Sequence, residues 1–595
     1  MSSDSTSGSP AGNSKSTNPF LGRQLAAYPS TATRVWLLGL VTITTVVLYY
    51  IYFIPGGVLP LLLPYYHMSF LYFMTLIVIS NAGGAFTAFI GGLSDRIGRA
   101  NLTIMGLAVL GVLQAFVIPN AHSRASFDAA YIAIGFVEGI ILVVTPALIR
   151  DFSPQMGRAA AMGFWTLGPV LGSLTVSQVA THTLPHLHPW QDQFMISGIA
   201  CLGMFVIGFL GLRELSPAIR DQLMVTAKER SLVEARAKGI DVEAALANPV
   251  RSMFKLDLLT SSVAISLFLL LYYALVTIVT LYWVIVFSKT TADANGINTW
   301  YFIFDGIGLV LMGFISDRLR VRKPFMVAGA VGYIVVSLIF ISKVHSPHTG
   351  YYSLAAVMGL LGFTSATAYS PWMAHYTEAV EAKNPALSAT GLSVWGWVLR
   401  IIVAGSFIVI PQVISSVSPL VNNQDAATAL QTLQAASPYA KTGAPPLPAS
   451  INSELLAAPK AYAAPLETLS GYLQTKKFPT TAQGLAQLQG LLAFQPLATS
   501  IQNGHNPTAA QIASVNVHSP QLAELLAKEE VIVPAQKNSP NQWEHWWWVC
   551  FAGEVIFLAL VFTMKGPWSP KSAREEFEAH QKLVAEEMTK LGISA

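Results

Sequence analysis

A short charged phrase occurs twice in this chain, and it constrains the fold more than any other feature. Residues Gly91–Arg99 read Gly-Gly-Leu-Ser-Asp-Arg-Ile-Gly-Arg, and residues Gly313–Arg320 read Gly-Phe-Ile-Ser-Asp-Arg-Leu-Arg. Each phrase follows one long apolar run and precedes another. A repeat at this spacing between apolar runs of membrane length predicts a molecule that is built from two related halves.

The composition places most of the chain in a lipid bilayer. Hydrophobic residues make up 53% of the 595 residues and charged residues only 11%, whereas about 25% of the residues of a soluble domain are charged. The net charge of +4 is spread over loops, which argues against a nucleic-acid partner. The two cysteines, Cys201 and Cys550, lie in apolar runs and predict neither a disulfide framework nor a metal site. No cofactor is expected.

Twelve apolar stretches approach the length of a membrane-spanning helix, about 20 residues. We number them segments one to twelve, and they begin near Arg34, Ser69, Leu102, Phe127, Ala159, Phe194, Leu258, Ile297, Phe325, Tyr351, Leu387 and Trp546. This pattern predicts an all-α integral membrane protein with twelve transmembrane helices in two pseudo-symmetric six-helix bundles.

The loops between the segments predict an orientation. The short loops on the side of the N-terminus hold nine lysines and arginines, and those on the other side hold three. The positive-inside rule therefore predicts that both termini are cytoplasmic. The expected parts are a disordered tail (1–30), a first bundle (31–212), a cytoplasmic linker (213–257), segments seven to eleven (258–415), a partly helical extracytoplasmic insert (416–545), segment twelve (546–565) and a cytoplasmic C-terminal helix (566–595).

The phrase at Gly91–Arg99 resembles the signature loop of the major facilitator superfamily (MFS), both in residue order and in its place between segments two and three. The resemblance covers about 34–415 and 546–565 but not the insert. It implies the MFS fold and a secondary transporter, with Asp95 holding the two halves in the outward-open state. Arg96 and Arg99 are expected to pair with acids of neighbouring segments at the inner gate. Asp317 and Arg318 stand at the matching places of the second copy. A topogenic charge cluster is the alternative for the loop.

Segment five contains a second pattern, Gly163–Gly172, which resembles the Gly-Pro motif of proton-driven antiporters. Pro169 removes a backbone hydrogen bond and bends the helix, and Gly168 and Gly172 form a smooth face for close packing. Segment eleven repeats the pattern at Gly391–Arg400, with Trp397 in place of Pro169 and Arg400 in place of Gly172. Plain helix packing is an equally good explanation of the glycines.

Four ionisable residues stand near the centres of apolar segments, where a charge costs about 2.5–3.5 kcal/mol on insertion scales. They are Glu138, Asp305, Arg400 and Glu554. The helix arrangement of the superfamily implies that Glu138 faces the central cavity, and we expect it to couple to protons, with Asp305 as a second such group. A packing hydrogen bond to another helix is the alternative for Glu138. Arg400 either binds a substrate carboxylate or forms a permanent ion pair with Asp305. Glu554, on a peripheral segment, is expected to snorkel or to pack helices.

Aromatic residues are frequent in the segments that the superfamily fold implies around the cavity. Tyr49, Tyr273 and Tyr369 are the strongest candidates for stacking on a solute, and aromatic belts at the membrane interface are the alternative explanation.

Three functions remain open from the sequence. The first is a proton-coupled transporter of a small organic anion, and the second is an efflux antiporter that exchanges protons for drugs or lipophiles. The third is a receptor or assembly factor that has the MFS fold but moves nothing. None of them is an enzyme. The expected setting is the plasma membrane, with a monomeric chain that binds lipid, protons and a small-molecule substrate. An extracytoplasmic partner of the insert is conceivable.

Overall fold

The computed structural model describes residues 23–25, 27–87, 98–153, 158–187, 189–216, 219, 253–383, 388–423 and 509–590. Segments one to six are helices in chain order. Their bounds are Thr31–Tyr65, Phe70–Thr87, Arg99–Val112 (continued by a π-helical turn, Leu113–Val117), Arg124–Phe152, Arg158–Thr183 and Trp190–Gly211.

The second half repeats this order with one broken helix. Segment seven consists of three pieces, Leu256–Phe268, Leu270–Thr277 and Val279–Phe287. Segments eight to eleven are Thr291–Leu319, Lys323–Ser342, Tyr351–Lys383 and Ser388–Val413, a short helix follows at Val417–Asn422, and the last helices are Ala509–Val561 and Pro570–Lys590. Ten helices of the described residues are long and apolar enough to cross a membrane. All twelve expected segments are helical, which gives the predicted two-bundle, all-α architecture.

Segment twelve begins much earlier than expected. One continuous helix runs from Ala509 to Val561, so the helix that contains segment twelve begins before Trp546, within the stretch expected as a partly helical insert. The extension is stabilised by packing outside the long apolar run, because Ile532 and Ala535 are buried against Leu420 of the short helix. Residues 424–508 of the insert lie outside the described residues.

The end of the expected disordered tail is ordered. Strand β1 (Gln24–Leu25) pairs in parallel with strand β2 (Glu214–Leu215) at the start of the linker. Leu215 is buried in a small apolar cluster against which Leu25 packs, and the Arg23 guanidinium lies 4.0 Å from the centroid of the Phe209 ring. These contacts explain why residues 23–25 are held against the first bundle despite the polar sequence around them.

The two halves touch where segment one ends and segment eight begins. The Asn295 side-chain amide donates to the Gly57 carbonyl at 2.8 Å. A Cβ atom on Gly56 would lie 2.3 Å from the Val276 carbonyl oxygen, so only glycine permits this approach of segments one and seven. The backbone amide of Phe70 donates to Ser418 Oγ at 2.8 Å. The short helix after segment eleven therefore joins the contact between the halves.

Candidate functional site

The signature loop is described only from its last two residues. Asp95 and Arg96 lie outside the described residues. Gly98 has a φ of +99°, a conformation that favours glycine. Arg99 begins segment three, and its Nη1 donates to both carboxylate oxygens of Asp151 at 2.6 and 2.7 Å. The expected pairing of Arg99 with an acid of a neighbouring segment is therefore present, between segments three and four of the same half.

The second copy of the phrase makes its ion pairs within the second half. Arg322 Nη1 lies 2.6 Å from an Asp317 carboxylate oxygen, and Arg322 Nη2 lies 2.8 Å from Glu378. Burial opposes the charged form of Arg322, but the hydrogen bonds and charges of Glu378 and Asp317 outweigh it and raise the pKa of Arg322. Arg318 is exposed in the last turn of segment eight. These contacts join segments eight, nine and ten.

The glycines of segment five set the distance to segment one. A Cβ atom on Gly172 would lie 2.5 Å from Tyr49 Cβ, and one on Gly168 would lie 2.5 Å from Thr45 Cγ2. Pro169 lies between them, inside the helix. Gly396 of segment eleven matches Gly168, and a Cβ atom on Gly396 would have no atom within 4 Å. The two halves thus use the same pattern differently, because segment five packs tightly where segment eleven borders open space.

The three tyrosines singled out above converge although they come from segments one, seven and ten. Tyr49, Tyr273 and Tyr369 are each half-buried, and each lies within electrostatic range of another of the three. Tyr49 also stacks on Phe53, with ring centroids 5.6 Å apart, and Tyr369 stacks on Trp372 at 6.1 Å. Phe53 and Trp372 are buried beneath the tyrosines, so the aromatic surface of this group is that of the three half-buried tyrosines.

Arg400 lies beside this group of tyrosines. Its side chain is exposed, and its charge acts on the hydroxyls of both Tyr49 and Tyr273. Within the described part of the chain, the Arg400 guanidinium forms no hydrogen bond or ion pair, and Asp305 is not its partner. The permanent ion pair between Arg400 and Asp305 that the sequence left open does not form in this structure. An unpaired guanidinium next to phenols can take a carboxylate, phosphate or sulfonate by two parallel hydrogen bonds.

Glu138 also lies within electrostatic range of Tyr49, inside the first half. The side chain is buried, and Oε1 has no hydrogen-bond partner among the described residues. It borders a cavity of about 10 Å³, which is room for roughly one water molecule. The polar residues that line this cavity are Tyr52, Ser80, Gln114, Tyr131 and Glu138. A carboxyl group in this setting can exchange a proton with a single water or with a neighbouring phenol.

Asp305 and Glu554 are also buried, in the second half. Asp305 lies within electrostatic range of Tyr369 and so borders the tyrosine group. Glu554 is 0% exposed and accepts a hydrogen bond from Ser337 Oγ at 2.8 Å. Of the two roles expected for Glu554, this contact supports helix packing and not snorkelling, because the buried side chain bonds to segment nine.

Several residues around Glu138 were missed at the level of sequence. Tyr52 donates to Asn81 at 2.6 Å, and both Tyr52 and Tyr131 lie within electrostatic range of Glu138. A signal was present in the sequence for two of them. Tyr52 follows Tyr49 by one helical turn, and Tyr131 precedes Glu138 by two turns, so each shares a helix face with a residue already singled out.

Comparisons with known proteins agree with this fold. The family model described as Major Facilitator Superfamily matches residues 41–293. The Multidrug resistance protein MdtL of Shewanella oneidensis is 30% identical over 130 residues, which are 21% of this chain and 31% of that protein. The MFS transporter asaE of Aspergillus flavus is 32% identical over 114 residues, which are 19% of this chain and 26% of that protein. The matched regions thus span less than a third of either relative.

A solved structure resembles the chain over most of its length. The inward-facing, unoccupied form of a bacterial homologue of the human lysosomal transporter Spinster superposes with a TM-score of 0.50 at 15% identity, and the match covers 89% of this chain and 99% of that one. At this identity the likeness concerns the fold alone. The chain is thus similar to the Major Facilitator Superfamily over residues 41–293, less than half of its length, and it shares the fold of the bacterial Spinster homologue.

Proposed function

We propose that the chain is a secondary active transporter that moves a small organic anion across the membrane together with protons, by alternating access between its two halves. The observation that carries the proposal is the unpaired guanidinium of Arg400 beside Tyr49 and Tyr273. A charge at mid-depth of a membrane segment is costly, and its cost is offset when an anionic solute pairs with it.

Glu138 supplies the proton-coupling group in this proposal, and Asp305 supplies a second one. Glu138 and Arg400 both act electrostatically on the Tyr49 hydroxyl. A change of charge at either group therefore changes the electrostatic potential at the same hydroxyl. A proton on Glu138 and an anion on Arg400 therefore favour each other electrostatically, since the ionised carboxylate repels an anion across Tyr49. This is the differential binding that coupling requires.

The test is solute movement in proteoliposomes that enclose a pH-sensitive dye. Sulfonates and dicarboxylates are suitable probes because they do not cross the bilayer as neutral acids. We expect a member of this panel to move protons with it, and we expect Arg400→Ala to abolish this flux while Arg400→Lys retains part of it. Glu138→Gln should uncouple the flux from protons and preserve exchange of the anion across the membrane. Retained anion flux in the Arg400→Ala variant would contradict the proposal.

A second candidate is an antiporter that exports drugs or lipophiles in exchange for protons. The half-buried rings of Tyr49, Tyr273 and Tyr369 favour it, and one relative that matches part of the chain is named a multidrug resistance protein. Lipophilic cations in the same proteoliposomes distinguish the two. Export of these cations in exchange for protons would favour this candidate if the Arg400→Ala variant still exports them. Movement of any solute would exclude a receptor or assembly factor that transports nothing.

The setting of the proposal is the plasma membrane, with a monomeric chain and both termini in the cytoplasm. Nine lysines and arginines in the short loops on the N-terminal side, against three on the other, support this orientation. Protease protection of tags placed at either terminus of the chain in sealed vesicles tests it.

A further inference from the structure

Glu554 is buried in the core of the second half, on segment twelve, with only half of its carboxyl group satisfied. Oε1 accepts the hydrogen bond from Ser337 Oγ at 2.8 Å, whereas Oε2 is buried and has no hydrogen-bond partner among the described residues. Burying an ionised carboxylate without a counter-charge costs several kcal/mol. A glutamine or an apolar residue would pack helices at lower cost, so the position favours a group that carries a proton.

Two tyrosines lie between Glu554 and Asp305. Tyr333 stands one helical turn before Ser337 on segment nine, and Tyr301 stands one turn before Asp305 on segment eight, so each shares a helix face with its neighbour. The hydroxyls of Tyr301 and Tyr333 adjoin each other, and Tyr301 lies within electrostatic range of both carboxyl groups. Both hydroxyls are buried, and neither completes a hydrogen bond of normal geometry with a described residue. Neither hydroxyl proton is therefore held by a fixed acceptor, although Ser365 also lies beside the Tyr301 hydroxyl.

No cation neutralises this pair within the described residues. The ionisable groups that face Asp305 come from segments seven, eight and ten and are Tyr272, Tyr301 and Tyr369. Those that face Glu554 come from segments eight, nine and twelve and are Tyr301, Tyr333 and Cys550. All of them are neutral at physiological pH, so nothing in this set stabilises two carboxylates.

We infer that Asp305 and Glu554 form one proton-binding site in the second half, joined by Tyr301 and Tyr333. A proton that leaves Asp305 for the Tyr301 oxygen displaces the Tyr301 proton to Tyr333, and the Tyr333 proton passes to Oε2 of Glu554. Each step breaks one O–H bond and forms another, so both tyrosines end neutral while Asp305 becomes ionised and Glu554 neutral. Asp305 lies beside Tyr369 and is the carboxyl group that exchanges protons with the central cavity. Glu554 lies deeper in the second half and binds the proton that Asp305 releases.

The inference rests on the proton role proposed above for Asp305, but it is measured without transport. Infrared difference spectroscopy of the full chain in lipid nanodiscs, during a pH titration in H2O and D2O, reports the carbonyl bands of protonated carboxyl groups. We expect Glu554→Gln to remove one such band and to shift the titration midpoint of the Asp305 band, assigned with Asp305→Asn, by at least one pH unit. Glu138→Gln should leave both bands unchanged, because Glu138 lies in the other half.

Two further variants separate a relay from a structural role. Tyr333→Phe keeps both carboxyl groups but breaks the chain of hydroxyls, so deuterium exchange at Glu554 should slow at least tenfold while exchange at Asp305 is unchanged. Ser337→Ala, the matched control, should shift the frequency of the Glu554 band without slowing its exchange. The inference is overturned if Glu554→Gln removes no protonated band, or if Tyr333→Phe leaves the exchange rate as it was. If the protein moves no probe solute but still shows these bands, the proposed transport function is refuted and the inferred proton-binding site is not.

Discussion

Replacing Gly172 by alanine is the sharpest test of how segment five positions the candidate site. The new Cβ would lie 2.5 Å from Tyr49 Cβ and 2.9 Å from both the Tyr49 carbonyl carbon and the Tyr50 amide nitrogen. Two of these three atoms belong to the backbone, so the clash cannot be relieved by a rotamer change and segments one and five must separate. Overpacking of this kind typically costs about 1–3 kcal/mol.

The magnitude is isolated by a control at a glycine of the same pattern in segment eleven, Gly396, which matches Gly168. Alanine gains about 1 kcal/mol of helix propensity over glycine wherever the helix is unstrained. Gly396→Ala makes the same chemical change in segment eleven, where the new Cβ has no atom within 4 Å. The propensity gain cancels in the difference between the two variants, which leaves the overpacking cost. We therefore expect Gly172→Ala to be less stable than Gly396→Ala by about 1–3 kcal/mol.

Reversible unfolding of the purified protein in detergent measures this difference, and binding or flux of the probe anion measures its consequence. Tyr49 is part of the site, so Gly172→Ala should also weaken the anion response. Equal stability of the two variants would refute the close packing of segments one and five. A destabilised Gly172→Ala protein with an unchanged anion response would show instead that the position of Tyr49 does not govern the site.

Three further contacts give predictions of graded size. Asp151→Asn removes the charge partner of Arg99 at a pair whose side chains are only 12% and 8% exposed, and we expect a loss of about 3 kcal/mol in the free energy of unfolding. Ser418→Ala removes the acceptor of the Phe70 amide, a loss of about 1 kcal/mol, so hydrogen–deuterium exchange in the peptide around Phe70 should rise roughly fivefold. Lys383→Ala breaks an ion pair of 2.7 Å whose side chains are 29% and 43% exposed, and the unfolding free energy should change by less than about 1 kcal/mol.

The twelve segments are predictable because the bilayer imposes one length on every spanning helix. The start of segment twelve is not, because the residues before Trp546 are polar and are held by a local contact of Ile532 with Leu420. A hydropathy pattern identifies the apolar, lipid-facing part of a helix. It does not show how far the helix extends beyond that part when a tertiary contact stabilises the extension. The same limit explains why the pairing of Leu25 with Leu215 was missed.

The candidate site is predictable in kind but not in detail. Ionisable residues at mid-depth stand out in any apolar segment, and this signal found Glu138, Asp305 and Arg400. Which of them pair depends on helix rotation, and a rotation of one residue moves a side chain by 100° around the axis. For this reason the alternative pairing of Arg400 with Asp305 was not decided by sequence, and neither was the choice between snorkelling and helix packing for Glu554.

The difference between the halves follows from one position of the shared pattern. At Gly172, the absence of a side chain lets segment five pack against the backbone and Cβ of Tyr49. At the matching position of segment eleven stands Arg400, and its charge acts on the hydroxyl of the same tyrosine. The first half thus uses this position for close helix packing, and the second half uses it for a charged side chain. In the alternating-access mechanism proposed above, a solute that contacts both Tyr49 and Arg400 is held by both halves, so it is released when the halves move apart.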